Sequence, residues 1–170
     1  MDAPVASPKI DTGHFDDLAN LLDDMRRSLR QSLDRALSAH GINFMHRRLL
    51  IHVTGQDGLS QASLARTLGI ERATVGLAID SLVAKGLVRR SAVSGDRRSW
   101  AISATDEGVY VLTKVERITQ EVCGHLFRGF SQDEFATLED FLVRMSGNAA
   151  SLREGDDRDK NDDGGGREPV

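Results

Sequence analysis

Apolar residues recur at helical spacing along most of the chain. The first and longest stripe repeats every three or four residues and consists of Phe15, Leu18, Leu22, Met25, Leu29, Leu33 and Leu37. Shorter apolar faces predict a second helix over 44–53, a third that begins behind a Ser60 cap, and a fourth from about Glu71 to Lys85. Glycines at positions 41, 55 and 69 follow the first three of these periods, as helix-terminating residues do.

The period changes from helix to strand after Gly86. Residues 87–91 and 99–103 are short segments of strand-like composition, and the turn-forming sequence AVSGDRR joins them. In the second segment, Trp100 and Ile102 alternate with smaller residues. This pattern predicts a β-hairpin with a basic tip, which is called the wing below.

Two helical periods complete the pattern. Thr105 is placed to cap the first of these helices, whose apolar stripe reaches Leu126. Ser131 and Glu134 have the spacing of a capping box and open the second, which is predicted to end near Leu152.

Both ends of the sequence lack an apolar pattern. Residues 1–11 contain two prolines and little apolar content, and residues 153–170 hold no large apolar residue before Val170. We expect both segments to be disordered, because neither can bury enough apolar surface to offset the entropy of ordering. The chain is therefore predicted to be one mainly α-helical domain over residues 12–152, with a small β-wing.

The composition excludes several classes of protein. No apolar run approaches the ~18 to 20 residues that cross a bilayer, and the first residues lack the basic start and apolar stretch of a secretory signal. The one cysteine, Cys123, rules out an intramolecular disulfide and a paired-cysteine zinc site. The sequence also lacks recognisable catalytic motifs. We therefore expect a cytoplasmic protein, without a membrane segment, that is not an enzyme and needs no cofactor or metal.

The charge is unevenly distributed. The whole chain has a net charge of −4, yet residues 60–100 hold seven Lys and Arg against three Asp and Glu. A basic patch on an acidic protein is the electrostatic pattern expected of a DNA-binding protein, although chance clustering of surface charges is an alternative.

The third and fourth helices, with Gly69 between them, form a helix-turn-helix pattern. Val75, Ile79 and Leu82 are predicted to face inward from the fourth helix. Its outward face then carries Arg72, Thr74, Gly76, Leu77, Ser81 and Lys85. Arginine and threonine can contact base edges or phosphates in a major groove, and Gly76 would let the backbone approach DNA closely. The alternative is a plain helical hairpin inside a bundle.

The predicted tip of the wing reads GDRR over residues 95–98, and Arg89 and Arg90 precede it on the first strand. An acidic residue lowers the positive charge here, which indicates that Asp96 holds the Arg98 guanidinium in a fixed direction through an ion pair. An arginine aimed in this way suits a narrow minor groove. The alternative is a solvated turn with a surface ion pair that contributes ~0 to 1 kcal/mol.

The runs LSQASLARTLGIERATV, DSLVAKGLVRR and GDRRSWAISATDEG resemble the winged-helix core of MarR-type transcriptional regulators. The resemblance implies a homodimer in which residues 12–41 and 104–152 are dimerisation helices around a DNA-binding winged helix-turn-helix over 42–103. It implies a pseudo-palindromic operator in double-stranded DNA, with Arg98 in the minor groove. Gly76 and Leu77 depart from the family pattern, because those positions are often polar in the family.

The residues predicted to contact DNA are Ser60, Gln61, Arg72, Thr74, Gly76, Leu77, Ser81, Arg89, Asp96, Arg97 and Arg98. The resemblance also implies a small effector, such as an aromatic acid or an acyl-coenzyme A thioester, bound between the dimerisation helices and the DNA-binding segment. The candidates to line that site are His40, His46, Arg47, His52 and Trp100. The expected function is a repressor that the effector releases from DNA. The alternatives are an oxidation sensor that acts through Cys123 and a winged-helix module that binds other proteins.

Overall fold

The computed structural model of the chain describes residues 9, 11–93 and 96–162, with the side chains of residues 93–99 and 152–162 outside the description. Within that part the elements are α1 Thr12–Ser38, α2 Phe44–Gly55, α3 Gln61–Leu68, α4 Arg72–Ala84, β1 Val88–Val93, β2 Asp96–Ala104, α5 Asp106–Leu126 and α6 Gln132–Asp162. The predicted fold class, mainly α-helical with a small β-wing, is confirmed. None of the described helices combines the length and apolar character needed to cross a bilayer.

The chain divides into two compact units, residues 1–126 and 127–170. The first unit contains α1 to α5 and the hairpin, and it has one apolar core to which all five helices and both strands contribute. The fully buried large side chains of this core are Leu37, Leu49, Leu50, Val53, Leu64, Val75, Ile79, Leu82, Ile102 and Val115. The second unit contains α6.

The apolar stripe of α1 is buried over half of its length. Leu33 and Leu37 lie in the core and Leu29 packs against it, whereas Phe15 is 60% exposed and Leu18 is also exposed. The helix ends at Ser38 with Ala39 as its C-cap, so the predicted cap at Gly41 is wrong by two positions. Gly41 instead makes the turn into α2 with a left-handed φ of 70°.

The two strands pair antiparallel and are longer than predicted, because pairing satisfies the backbone donors and acceptors beyond Ser91. Val93 pairs with Asp96, so the backbone of 96–98, predicted to be part of the turn, belongs to β2; residues 94–95 lie outside the description. The Ile102 N–H donates to the Leu59 carbonyl over 2.9 Å and ties β2 to the segment before α3.

The join between β2 and α5 explains why the sequence has threonine and glycine three residues apart. The Thr105 hydroxyl donates to the Gly86 carbonyl over 2.7 Å and accepts from the Gly108 N–H over 3.1 Å, which confirms the predicted cap. A Cβ atom at Gly108 would lie 2.0 Å from the Leu87 carbonyl oxygen. The absence of a side chain at Gly108 therefore lets α5 lie directly against the start of β1.

The predicted capping box at the start of α6 is confirmed. The Ser131 N–H donates to Glu134 Oε2 over 2.8 Å, and the Glu134 N–H donates to the Ser131 hydroxyl over 3.2 Å. These bonds to Ser131 hold the pKa of the Glu134 carboxyl below its ordinary value.

A disordered tail is predicted to begin at Arg153, but α6 continues to Asp162. The prediction is therefore wrong for residues 153–162. The residues beyond Arg153 are polar, but no proline and no run of glycines interrupts them before position 164. Extending an existing helix is easy because each further residue adds one hydrogen bond. Residues 163–170, like residues 1–8 and 10 at the other end, lie outside the description, so the expectation of disorder there stays a prediction.

Candidate nucleic-acid interface

The predicted helix-turn-helix is present, with α3 and α4 as its two helices. Ser60 caps α3, since its hydroxyl accepts from the Ser63 N–H over 3.1 Å, and Gly69 ends α3 with a left-handed φ of 64°. The predicted inward residues Val75, Ile79 and Leu82 are all fully buried. This packing fixes which face of α4 is left for a ligand.

The outward face of α4 begins with Arg72 and Thr74, which are both exposed, and Ser81 is half-buried one turn before its end. Leu77 is 73% exposed in the middle of this face. Most of the Leu77 side chain is therefore in contact with water. Such a side chain is suited to contact a thymine methyl group, which is apolar and projects into the major groove.

Gly76 has a structural reason that the sequence did not reveal. The Gln61 side chain of α3 lies across it, and a Cβ atom at position 76 would be 2.6 Å from Gln61 Nε2. The same amide donates to the Arg72 carbonyl over 2.9 Å and so fastens α3 to the first turn of α4. A side chain at position 76 would displace the end of the Gln61 side chain and with it the hydrogen bond to Arg72, so glycine favours this contact between the two helices.

Two of the basic residues on β1 are held by protein groups. Arg90 donates to Asp80 Oδ1 of α4 over 2.5 Å, and Arg89 donates to the Ala104 carbonyl over 3.2 Å. The Asp80–Arg90 pair joins the helix-turn-helix to the hairpin and fixes the direction of the Arg90 guanidinium. Sequence reasoning missed Asp80, because the two residues lie on different elements and their pairing depends on how α4 packs against β1.

A cleft of about 530 Å³ opens where α3, α4 and the hairpin meet. Its lining consists of Ser60, Gln61, Ala62, Arg72, Arg90, Trp100 and Ile102. Three of these, Ser60, Gln61 and Arg72, are predicted DNA contacts, and the structure brings them together. Two guanidinium groups beside hydroxyl and amide groups form a surface that can bind the phosphates of a nucleic acid.

The predicted contacts at the tip of the wing are Asp96, Arg97 and Arg98. Their backbone lies in β2, but their side chains are outside the described part of the chain. The proposed pairing of Asp96 with Arg98 and the placement of Arg98 in a minor groove therefore stay predictions.

The five residues predicted to line an effector site are not brought together. His40 is exposed in the turn after α1, and His52 lines a separate groove between α2 and α3. Arg47 pairs with Glu116 of α5 over 3.0 Å, and Trp100 lies on the hairpin in the cleft described above. These residues do not line one cleft within the described part of a single chain, and their part in an effector site stays a prediction.

His46 has a role in the folding of α2. Its N–H donates to Asn43 Oδ1 over 2.8 Å, and its Nδ1 accepts from the Asn43 N–H over 3.4 Å, which completes a capping box at the start of α2. Burial, and secondarily the positive charge of Lys85, lower the pKa of His46 below its ordinary value, while Asp34 opposes the shift. A buried neutral imidazole that caps a helix is a poor partner for an anionic effector.

An apolar groove of about 530 Å³ lies between α1 and α5 in the first unit. Its lining consists of Ser28, Leu29, Ser32, Ala36, Ile118, Glu121, Val122, His125 and Leu126. None of the five predicted effector residues belongs to it. Cys123 is half-buried on the same helix, and the described residues contain no cluster of three side chains able to hold a metal ion.

Comparison with known proteins shows which family the winged helix resembles and which solved structures share the fold. The sequence profile of the MarR family matches residues 40–99, which include α2, α3, α4 and most of the hairpin. A MarR transcriptional regulator from Methanosarcina mazei Go1 is 24% identical with a TM-score of 0.73, over 81% of this chain and 99% of that one.

Two further solved structures are similar over most of their length. A mutant of MarR from E. coli, complexed with operator DNA, is 22% identical with a TM-score of 0.71, over 75% of this chain and 92% of that one. CouR from Rhodococcus jostii RHA1, bound to p-coumaroyl-CoA, is 25% identical with a TM-score of 0.68, over 76% of this chain and 92% of that one. The MarR family profile thus matches the winged helix, and the solved structures share the fold over about three quarters of this chain or more.

Proposed function

We propose that this chain is a homodimeric, sequence-specific DNA-binding transcriptional regulator, a repressor that a small organic effector releases from a pseudo-palindromic operator. The cleft between α3, α4 and the hairpin is the observation that carries the proposal. It combines the Arg72 and Arg90 guanidinium groups with the exposed face of a helix whose other face is fully buried. The structure of E. coli MarR with operator DNA supports the same use of this fold.

The exposed apolar residues of α1 and α6 support the homodimer. On α1, Phe15, Leu18, Leu21 and Met25 are exposed, and Leu21 is 66% exposed. On α6, Phe141, Val143 and Met145 are exposed within their own unit. Soluble proteins rarely leave contiguous apolar surface of this kind in water, so we infer that a second copy of the chain covers it.

The groove between α1 and α5 is the place we propose for the effector. Leu29, Ile118, Val122 and Leu126 supply apolar walls, and hydroxyls of two serines supply polar contacts at α1. An aromatic ring fits walls of this kind. The structure of CouR with p-coumaroyl-CoA supports an aromatic acyl compound as the class to test first. The Glu121 carboxylate at the rim favours a neutral or thioester group over a free carboxylate at that end.

A footprint on the DNA around the chain's own promoter tests the proposal. A homodimer with two recognition helices should protect two half-sites whose centres lie about 34–36 Å apart along the duplex. Protection of a single half-site would contradict the dimer, and no protection at any concentration would favour the protein-binding module instead.

Three variants then test the assigned residues. Arg98→Ala should weaken operator binding at least about tenfold, as the loss of a charged contact to DNA does, without changing the oligomeric state. Arg72→Ala and Thr74→Ala should reduce the preference for the operator over unrelated DNA more than they reduce non-specific binding. If both lose affinity equally for all sequences, these side chains contact phosphates and do not read bases.

A further inference from the structure

Trp100, a predicted effector residue, lies in the cleft between α3, α4 and the hairpin. The register of the hairpin pairs Arg90 with Ile102 and Ala92 with Trp100, so these four side chains share one face of the two-stranded sheet. Ile102 is fully buried and Arg90 reaches Asp80 on α4. The shared face is therefore the one that packs against the helix-turn-helix, and Trp100 lies on it two residues nearer the tip.

The burial of this face decreases along the strand towards the tip. Ile102 is buried against the core, whereas Trp100 is 52% exposed. An indole is the largest apolar side chain, and leaving half of it in water is unfavourable. In the cleft it lies with Arg72 and Arg90, which are cationic, and with Ser60 and Gln61 at the start of α3.

These neighbours indicate what can cover the indole. A phosphodiester backbone offers both anionic oxygens for the two guanidinium groups and a flat, largely apolar deoxyribose for the ring face. The indole N–H is a donor without an acceptor function, which suits it to a phosphate oxygen. An apolar protein partner would offer no counter-charge to the Arg72 guanidinium, whereas Arg90 is already paired with Asp80.

We infer that Trp100 is a DNA-contacting residue, whose ring packs against the sugar–phosphate backbone beside the phosphate bound by Arg72 and Arg90. This inference rests on the proposed function and adds a residue to its DNA-binding surface. Trp100 thereby moves from the predicted effector site to the DNA interface. The Trp100 side chain carries no charge, unlike the arginines. Its loss should therefore weaken DNA binding without changing how the affinity depends on salt.

The chain contains one tryptophan, so its intrinsic emission reports on position 100 alone. The wild-type protein is titrated with an unlabelled promoter duplex, and binding is followed separately by gel retardation. Acrylamide, a neutral quencher, is added to the free and the bound protein. We expect strong quenching in the free protein and at least about a threefold smaller quenching constant in the complex, because DNA removes an exposed indole from water.

Substitutions give a second readout. Trp100→Ala should weaken DNA binding about tenfold, as expected when a donor to a charged group and a buried ring are removed together. Trp100→Phe, which keeps a ring and loses the N–H, should lie between wild type and Trp100→Ala. The slope of log affinity against log salt should stay unchanged in both, whereas Arg72→Ala should lower it by about one unit. Tyr110→Ala is the matched control, since Tyr110 is an aromatic residue of α5, 55% exposed and outside the cleft lining, and it should bind DNA like wild type.

The outcomes separate the inference from the proposal on which it rests. Protection from acrylamide together with the tenfold loss supports the contact. If gel retardation shows binding while the indole stays as accessible as in the free protein, the inference fails and the DNA-binding function stands. If an aromatic acyl compound protects the indole and DNA does not, Trp100 belongs to an effector site after all. If no DNA binds, both fail. The quenching experiment uses wild-type protein, so its result tests the inference even if Trp100→Ala does not fold.

Discussion

Apolar residues are buried in the winged helix but exposed on the two surfaces that flank it in the sequence. In the winged helix, residues 42–104, Leu49, Leu50 and Leu82 are fully buried against one another and against their neighbours. The flanking surfaces, which are residues 12–27 of α1 and the apolar side of α6, leave phenylalanine, leucine and methionine side chains exposed. One region buries its apolar surface within a single chain, and the other does not.

This difference indicates where each region obtains its stability. The winged helix is buried in a core that it shares with α1 and α5 of the same chain, whereas the flanking surfaces remain unfavourable in water until something covers them. The surface that we propose for DNA binding lies in the winged helix, and the surfaces that we propose for dimerisation lie outside it. The exposed face of α4 carries Arg72 and Thr74 beside the cleft that we propose binds DNA, and the exposed faces of α1 and α6 are apolar and are the ones that we propose a second copy of the chain covers.

The largest expected effect comes from cutting into the core of the winged helix. Leu82→Ala should lower the free energy of unfolding by about 2–5 kcal/mol, because it removes a fully buried side chain and leaves a cavity. Leu21→Ala, at an exposed site on α1, is the matched control and should change the stability of the winged helix much less. Urea denaturation at fixed protein concentration measures the free energy of unfolding of both variants. Equal losses would contradict the conclusion that apolar side chains are buried in the winged helix and exposed on α1.

A charge introduced on a flanking surface should weaken self-association of the chain more than it lowers the free energy of unfolding. Leu21→Asp should weaken self-association by at least about a hundredfold, since an unpaired carboxylate would have to leave water at the interface. Gln31→Asp adds the same charge to α1 away from the apolar stripe and should associate like wild type. Sedimentation equilibrium across a range of concentrations tests this, and an unchanged dimer in Leu21→Asp would mean that this surface is covered by something other than a second copy.

The contact of α5 with β1 should tolerate no side chain. Gly108→Ala places a methyl group against the Leu87 carbonyl and should destabilise the protein by about 1–3 kcal/mol or more through overpacking. Gly124→Ala, on the same helix with open space around its Cβ position, should be neutral or stabilising by up to about 1 kcal/mol. Thermal unfolding of the two variants compares them directly, and a neutral Gly108→Ala would show that the contact is looser than described.

His46 should make the winged helix sensitive to pH. Its pKa in the folded protein is lowered below the ordinary value of 6.5, so below about 6.5 the unfolded chain binds more protons than the folded one. The stability should therefore be complete above this pH and fall as the pH drops through it towards the lowered pKa. His46→Gln keeps a side chain able to cap α2 and should flatten this part of the curve, whereas His40→Gln, at an exposed site, should not. A curve that keeps its full slope in His46→Gln would exclude His46 as the titrating group.

The smallest expected effect on stability is at the Asp80–Arg90 pair. Asp80→Asn should change the free energy of unfolding by less than about 1 kcal/mol, because both side chains are partly exposed and water screens the attraction. The ratio of operator binding to non-specific binding should fall, since Arg90 loses the group that fixes its direction. Fluorescence anisotropy with operator and unrelated duplexes measures this ratio, and an unchanged ratio would mean that Arg90 needs no positioning.

Elements defined by local spacing could be predicted from the sequence. The helix-turn-helix follows from the Ser60 cap, the left-handed Gly69 and the inward spacing of Val75, Ile79 and Leu82, all of which are properties of neighbouring residues. The caps of α5 and α6 are local in the same sense and are confirmed. Residue spacing also gave the correct class of fold.

Features that depend on contacts between distant elements could not be predicted. The Gln61 amide over Gly76 and the Asp80–Arg90 pair arise only when α3, α4 and β1 pack together. The capping box of α2 was missed because a histidine stands where glutamate or glutamine is usual. The neighbours of the predicted effector residues could not be predicted for the same physical reason, since residue type alone does not show that His46 caps α2, Arg47 pairs with Glu116 and Trp100 lies in the cleft.

Binding of the wild-type protein to its own promoter duplex at several salt concentrations tests the central claim most directly. If the cleft and the wing neutralise phosphates, log affinity should fall linearly with log salt concentration, with a slope of about −0.9 for each phosphate neutralised. A steep slope, together with tighter binding to the promoter than to unrelated duplex at every salt concentration, is the result expected of a sequence-specific DNA-binding protein. Absence of binding at low salt, or an affinity that does not change with salt, would contradict it.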